Sequence, residues 1–500
     1  MGKNSAGRDS LEDAPRSVSR RAFLSKGAAG VGAAALVGAG AGEAAAQVKW
    51  DLSADVIVIG AGVSGLAAAI TARDLGASVI SVDENFDIGG RGMLSGGRVH
   101  LGGGHALQQK AGIKDSADQI FKDWVRHDAA VAKYSDRDLV RVFADENVAT
   151  FDFLIENGVQ LHEKPIGPEA ASTVPRTFVA VEWHNLSEVY APGRDRNGSG
   201  LVRRLEESAR KKGVQILLRH EMKSIVRERP SSGKVLGISV AHPGGSLNIE
   251  AKRGVIIATG GHTGNVNFRR MFDPRLTEEY QQACMPYAYQ GAKGELAAMD
   301  IGASLWATAN QTNESGSAIT KTRHIGCRWG YSSLVFEPES KLFPIAKATG
   351  LTVSDWQNMI FVNQAGQRFW NEVDGSYRFF AAAMAYHGDT AKLNGGGPIW
   401  AIFDADAAAR EKWDPKPPHV DPDGYFYSAD TIAELAPRIK NPHQKKSISG
   451  AVLQETVNRY NAFVAAGADA DFKKPTPMYK IEKPPFYAAW ATPILHDTLT

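Results

Sequence analysis

Gly60, Gly62 and Gly65 stand in the spacing G-x-G-x-x-G, and an acid, Asp83, follows about twenty positions on. This set can hold a dinucleotide without reacting with it. Gly60 permits a tight turn, and Gly62 lets a pyrophosphate approach bare backbone. Gly65 lets a helix lie close on a strand, and free N–H groups at that helix's start face the phosphates. Asp83 can accept a hydrogen bond from a ribose hydroxyl. A second stretch, "IGGRGMLSGGRVHLGGGH" at 88–105, has glycine at eight of 18 positions. Glycine costs entropy in ordered chain, so such density needs a reason. Either main chain is pressed against a flat ligand or the stretch is a flexible linker. Met93, Leu94, Val99 and Leu101 want burial and weaken the linker reading.

Strands and helices must carry these residues. Residues 55–59 are a β-branched run that reads as a buried strand. Residues 66–75 read as a helix with small residues on its packed side, ended by Gly76, and 79–82 as a second strand ending in Asp83. Residues 115–158 look helical, with Ser135 as a cap, an apolar stripe of Leu139, Val142, Phe143, Phe151 and Leu154, and Gly158 as the stop. A helix is predicted at 201–212, a strand at 214–218, a hairpin of 222–227 with 235–240, and a buried strand at 255–258. From about residue 275 tryptophan and tyrosine become frequent, and a strand–turn–return is predicted at 359–372 and a helix at 449–465. The fold class is α/β with an α+β second part.

The chain has 500 residues, 43% hydrophobic and 22% charged, with net charge +2, which leaves room for two domains and gives no support for nucleic-acid binding. Near the N-terminus, Arg20-Arg21 precedes Phe23-Leu24, a mild Ala/Gly/Val run and "AAA" before Gln47. That order predicts a twin-arginine export signal over 1–46, cleaved after Ala46, and hence a periplasmic protein; the alternative is an unstructured cytosolic tail. The run is too glycine-rich for a stable membrane span. Cys284 and Cys327 could form one disulfide but no framework, and no spacing suggests covalent haem or a metal site.

The second glycine-rich stretch separates the two dinucleotides. A nicotinamide fold needs none, whereas an extended flavin continues past the second strand. The amides of 89–92, 95–97 and 102–104 could line its path, so FAD is expected.

Several motifs carry a family resemblance: "GAGVSGLAAA", "IGGRGMLSGG", "ATGGHTGN", "GAKGELAAMDIGA", "FVNQAGQRFWNE", "TVNRYN" with "DADF", and "KPPFYA". On these the chain resembles the fumarate reductase/succinate dehydrogenase flavoprotein family. The likeness is to the soluble branch that holds 3-ketosteroid dehydrogenases and flavocytochrome c reductases. The resemblance implies a Rossmann-like FAD-binding domain over 50–274, an inserted capping domain over 275–485, and the start of the return at 486–500. Substrate would lie between the two. It implies FAD contacts at Gly60, Gly62, Ser64, Gly65, Asp83, Gly90, Arg91, Gly96, Gly97, Met222, Ala258, Thr259, Gly260 and Asn265. No Ser-His-Thr occurs near residue 90, so the FAD is expected to be non-covalent. Family members continue with a further strand, a Gly-Glu turn and a final helix, which this chain does not reach.

The resemblance also implies a proton-handling group. Where fumarate-reducing members place an arginine after the "RF-x-NE" motif, Ser376 stands here, followed by Tyr377 and Arg378. Both are candidate acids or bases, with Arg323, His324 and His100 beside them. Each has a bland alternative: Arg378 pairing with Glu372 or Asp374, Tyr377 as a packed aromatic, His100 as a structural residue. His496-Asp497-Thr498 replaces a His-His-Thr, and Lys293 stands where an aspartate is common. The expected function is dehydrogenation or reduction of a C–C bond next to a carbonyl, on a small, apolar ketone or enone. Electrons would pass to a separate cytochrome or quinone. The alternatives are a fumarate- or urocanate-type reductase and a non-catalytic flavin-binding or interaction protein.

Overall fold

The computed structural model describes residues 48–125, 136–167, 172–181, 183, 198–272, 278–279, 281–282, 288–305, 317–320, 324–328, 350–374 and 397–498. Lys49–Thr500 fold as one compact unit, and the signal expected over 1–46 lies outside the described residues.

The β-branched run becomes β1 (Leu52–Ile59), followed by a helix at Val63–Asp74 and by β2 (Val79–Asp83). Ile57, Val58 and Ile59 are all buried, because β1 lies inside a sheet covered on both faces. A short strand, β3 (Arg98–His100), pairs antiparallel with β4 (Thr177–Val179) beside the sheet. Beyond the helix Gly198–Lys211, β5 (Gln215–Leu218) joins β2 in parallel. A meander follows: β6 (Glu221–Arg229), β7 (Ser232–His242) and β8 (Gly245–Ile257). The six strands run in the order β5-β2-β1-β8-β7-β6. One core, with Val58, Leu66, Ile70, Met93 and Leu205, packs under the helices; another, with Ile57, Ile80, Met222, Ile238 and Ile249, fills the other face.

Two expectations change here. The hairpin is a three-stranded meander, because β8 starts ten residues before the apolar run at 255–258, and that run, expected to be buried, is half-buried at Val255 and Ala258 and exposed at Ile256 and Ile257. The first half of β8 buries only alternate residues, Ile249 and Ala251, so it carries no continuous apolar signal. The stripe over 115–158 is broken. Asp136, not Ser135, caps the helix Arg137–Asp145 by accepting from the Asp138 and Leu139 amides, and a new helix begins at Asn147. Val140 and Ala144 are buried while Leu139, Val142 and Phe143 are exposed; Phe151 and Leu154 are buried as expected. Ser135 lies outside the described residues.

The second half centres on a four-stranded antiparallel sheet in the order Ile360–Val362, Trp400–Phe403, Phe486–Trp490, Phe426–Ala429. Phe486–Trp490, expected at the start of the return, is an inner strand of this sheet, so the sheet runs past 485. The return after the turn at 364–366 is a single bridge between Val362 and Arg368. Phe361, Phe403, Phe426 and Tyr487 pack on one face. Trp400 and Trp490 pack on the other with Leu453, Val457 and Tyr460 of the helix Gly450–Ala466. Many of the aromatics that become frequent after about residue 275 are therefore the sheet's own core.

Candidate functional site

The glycines of the first turn do different work. A Cβ on Gly60 would sit 2.3 Å from the Ala258 carbonyl oxygen, and one on Gly65 1.9 Å from the Gly60 carbonyl oxygen, so both are pressed against protein. A Cβ on Gly62 would find its nearest atom at 4.0 Å, and one on Gly90, whose φ is +47°, nothing within 4 Å. Those two positions border space. Gly62 is also the N-cap of the Val63–Asp74 helix, so no side chain satisfies the first-turn amides. An anion can.

The space is a cavity of about 810 Å³ along the C-terminal ends of β1, β2 and β8. Ten of the expected contacts line it: Gly60, Gly62, Ser64, Asp83, Gly90, Arg91, Met222, Ala258, Thr259 and Gly260. Four do not. Gly65 packs on the turn, Gly96 borders open space elsewhere, and Gly97 takes part in main-chain hydrogen bonding with Ala180. Asn265 accepts from the Phe268 amide at the start of the helix Val266–Phe272. Its Nδ2 donates to the carbonyl of Gly291, which does line the cavity. Asp83 accepts from the Ala61 amide (2.7 Å) and the Asn85 amide (2.9 Å), so it braces the glycine turn from the end of β2. Burial raises its carboxyl above the usual range.

The triple glycine at 102–104 does not cradle a ligand. A Cβ on Gly102 would lie 2.3 Å from Asp115 Oδ2 and 2.6 Å from Arg176 Cδ. Arg176 Nε donates to Asp115 (2.7 Å) and Nη1 to Asp123 (2.7 Å), all three side chains being buried. Burial alone would raise the Asp115 carboxyl, but hydrogen bonds from Arg176, the Gly103 amide and Gln108 hold it at about 2. Bulk at 102–104 would split this network. The network in turn fixes β3, because the Leu101 amide donates to the Arg176 carbonyl (3.0 Å).

His100 lines the cavity at the end of β3. Its Nδ1 lies 2.8 Å from Thr177 Oγ1 and its Nε2 3.1 Å from Ser172 Oγ. Hydroxyls both donate and accept, so the ring can gain or lose a proton while keeping both contacts. Phe153, Leu154, Leu201 and Leu205 form an apolar wall of the same cavity. His324 is buried, 3.1 Å from Thr352 Oγ1, and does not line the cavity. Tyr377, Arg378, Arg323 and Cys284 lie outside the described residues. Cys327 is buried, which raises its thiol well above the usual value. Among the described residues no cluster of three His, Cys, Asp or Glu could hold a metal, and no helix is long and apolar enough to cross a membrane.

Sequence reasoning missed Glu84, His220, Tyr289 and Gln290, all lining the cavity, as does Lys293, which the resemblance had marked only as a departure from an aspartate. Of the four missed, only Glu84, next to Asp83, had a positional signal; the others arrive from strand ends and loops that no periodicity marks. The "RFWNE" and "DADF" motifs prove structural: Arg368 pairs with Glu372 (2.9 Å) and Asp469 (3.1 Å), and Lys474 lies 3.3 Å from Glu372, all four side chains buried.

Residues 55–500 match the FAD binding domain family (FAD_binding_2). The chain is 30% identical over 292 residues to an acrylate reductase flavoprotein subunit from Shewanella woodyi, covering 55% of this chain and 52% of that protein. It is 26% identical to a fumarate reductase (cytochrome) from Shewanella frigidimarina, over 89% of this chain and 66% of that protein. It thus spans about half to two thirds of these relatives. The fold matches a 3-ketosteroid Δ1-dehydrogenase from Sterolibacterium denitrificans with a TM-score of 0.59 at 22% identity, covering 89% of this chain and 88% of that one. Bare backbone at Gly62 and Gly90, uncapped helix amides and a cavity of dinucleotide size fit one group. The chain belongs to the FAD binding domain family, and FAD is its cofactor.

Proposed function

We propose that this chain is an oxidoreductase that dehydrogenates or reduces a carbon–carbon bond next to a carbonyl. In this reading FAD is held non-covalently by the 50–274 part, and residues from about 275 onward cover the substrate. The Arg20-Arg21 segment directs export to the periplasm. A separate cytochrome or quinone exchanges the electrons. One observation carries the reading: a single cavity is lined by bare backbone at Gly62 and Gly90, by a hydroxyl-flanked imidazole and by an apolar wall.

FAD, when bound, supplies the centre that accepts or gives a hydride. The chain supplies the rest. Gly62 and Gly90 let the dinucleotide lie against main chain, and the amides at the start of the Val63–Asp74 helix face its phosphates. Phe153, Leu154, Leu201 and Leu205 exclude water from the reacting carbons. His100 holds or gives the proton at Nε2, which Ser172 can relay.

A second substrate class has its own support. Arg98, on the same strand as His100, lines the cavity, and its guanidinium has no partner among the described residues. A carboxylate beside the double bond would satisfy it, in keeping with the acrylate and fumarate named for the two relatives.

The test is spectroscopic. The protein is loaded with FAD and, without oxygen, oxidised flavin is mixed with saturated ketones and chemically reduced flavin with enones and 2-enoates. A change in the flavin's visible band with one of these substrates is expected. The His100→Phe variant should keep its flavin and lose about 10²–10⁴ in that rate. A flavin that responds to none of the three sinks the reading.

A further inference from the structure

One corner that contributes to the cavity lining, between β5 and β6, takes no part in the proposed reaction. β5 ends at Leu218, Arg219 adopts a left-handed φ of +58°, and β6 begins at Glu221. That conformation is uncommon without glycine and persists where the surroundings hold it. Here the Arg219 amide donates to the Asn85 carbonyl (2.8 Å) and the His220 amide to the Asp83 carbonyl (2.8 Å), seating the corner on the end of β2. His220 therefore lines the cavity beside Asp83 and Met222.

The ring of His220 is fixed on two sides. It stacks on His242 with centroids 4.9 Å apart and planes 9° from parallel. Its Nδ1 lies 2.7 Å from the Leu218 carbonyl oxygen. A carbonyl only accepts, so Nδ1 must carry the hydrogen, and in the neutral ring Nε2 is left with its lone pair. No group among the described residues donates to Nε2. A fixed, unused acceptor thus sits among the residues that line a dinucleotide cavity, at the corner that follows β5.

We propose that His220 Nε2 is the acceptor that reads the exocyclic amine of the cofactor's purine, so that this chain prefers an adenine dinucleotide to a 6-oxopurine one. The proposal rests on the FAD assignment of the cavity. Adenine offers an N–H donor at its 6-position. Hypoxanthine offers a carbonyl there, which would set two lone pairs against each other and leave Nε2 unsatisfied.

The experiment titrates the full chain, freed of flavin, with FAD and with its deaminated analogue, flavin hypoxanthine dinucleotide. Flavin fluorescence reports binding, and the melting temperature of each apoprotein reports folding. The wild type should bind FAD about tenfold more tightly than the analogue. His220→Phe keeps the stacked ring and lacks the acceptor, so the ratio should fall to about one. His220→Gln, whose side-chain carbonyl accepts, should restore part of it. A His220→Phe protein that melts like the wild type and keeps the preference overturns the proposal, as does a wild type that binds both flavins equally. A wild type that binds neither overturns the FAD assignment itself and the proposal with it.

Discussion

Two buried ion networks hold this molecule, one on each side of the chain's midpoint. Arg176 with Asp115 and Asp123 lies under the strand that carries His100. Arg368 and Lys474 with Glu372 and Asp469 lie in the second sheet's territory, where no lining residue of the large cavity is found. The charges balance differently. The second network has two cations for two carboxylates. The first has one cation for two, and main-chain amides of Gly103, Ser116 and Thr173 take up the spare acceptors. That is the lesson of the comparison: both networks also clamp backbone, the second through the amides of Phe361, Asp471, Phe472 and Lys474, so what differs is where the clamped backbone leads, and in the first it leads to Leu101 and His100 of the cofactor cavity. The balanced network mainly joins one piece of the second half to another, through Phe361 N–H to Glu372 and Lys474 to the Met359 carbonyl.

The sharpest way to break the comparison is to remove each arginine. Arg176→Leu strands two buried carboxylates and Arg368→Leu strands the Glu372–Asp469 side, so each should cost about 3–5 kcal/mol of stability. Their effects on FAD should differ. At a temperature where both variants remain folded, Arg176→Leu should loosen FAD by tenfold or more, as loops 101–104 lose their anchor, whereas Arg368→Leu should bind it like the wild type. Urea unfolding gives the first quantity and flavin fluorescence the second. Equal loss of FAD in both variants would show that the two networks belong to one cooperative frame.

Acid acts on the same contrast without a mutation. The Asp115 carboxyl sits at about 2 against an ordinary value of 3.8, because Arg176 and neighbouring donors outweigh burial. A depressed carboxyl contributes stability that is fully present above its unfolded value and is lost as pH falls through its folded value. Stability should therefore decline from about pH 3.8 toward about 2. Asp123, Glu372 and Asp469 are lowered too and steepen the decline. Asp115→Asn removes one of these groups and should make the slope shallower, though the protein starts less stable. Unfolding curves at three pH values across the window check this. An unchanged slope would mean that Asp115 is already protonated where the fold is still intact.

Much of this was legible in the residues. The turn at 60–65, its strands and its helix announce themselves because each glycine there answers a geometric need and β-branched runs flank it. The later glycines were harder. At 88–105 the sequence gives one texture, but the structure divides it: Gly90 faces the cavity and Gly102 faces an arginine 74 residues downstream. Nothing local separates glycine against ligand from glycine against a buried ion pair, since both ask only for a missing Cβ. His220 was illegible for a related reason, being placed by a strand corner rather than by its own pattern, and Lys293, at a helix start, was legible only through its motif and not in its partners.

Lys293 sharpens the comparison from its weak end. Its ammonium contacts Glu84 and lies 2.7 Å from Glu221, so it too joins two carboxylates to one cation across three elements at the cavity. Burial would lower its pKa, yet hydrogen bonds to Glu221 and Glu84 raise it. On paper this is the Arg176 arrangement again. The side chains, however, are 37%, 35% and 32% exposed, against 0–1% around Arg176. Water already solvates these charges, and salt screens them. Lys293→Met should therefore cost no more than about 1 kcal/mol, and what it costs should vanish in high salt. The loss from Arg176→Leu should persist there. Melting curves of both variants at low and high ionic strength decide it. A large, salt-resistant loss at Lys293 would show that burial is not what separates the strong network from the weak one.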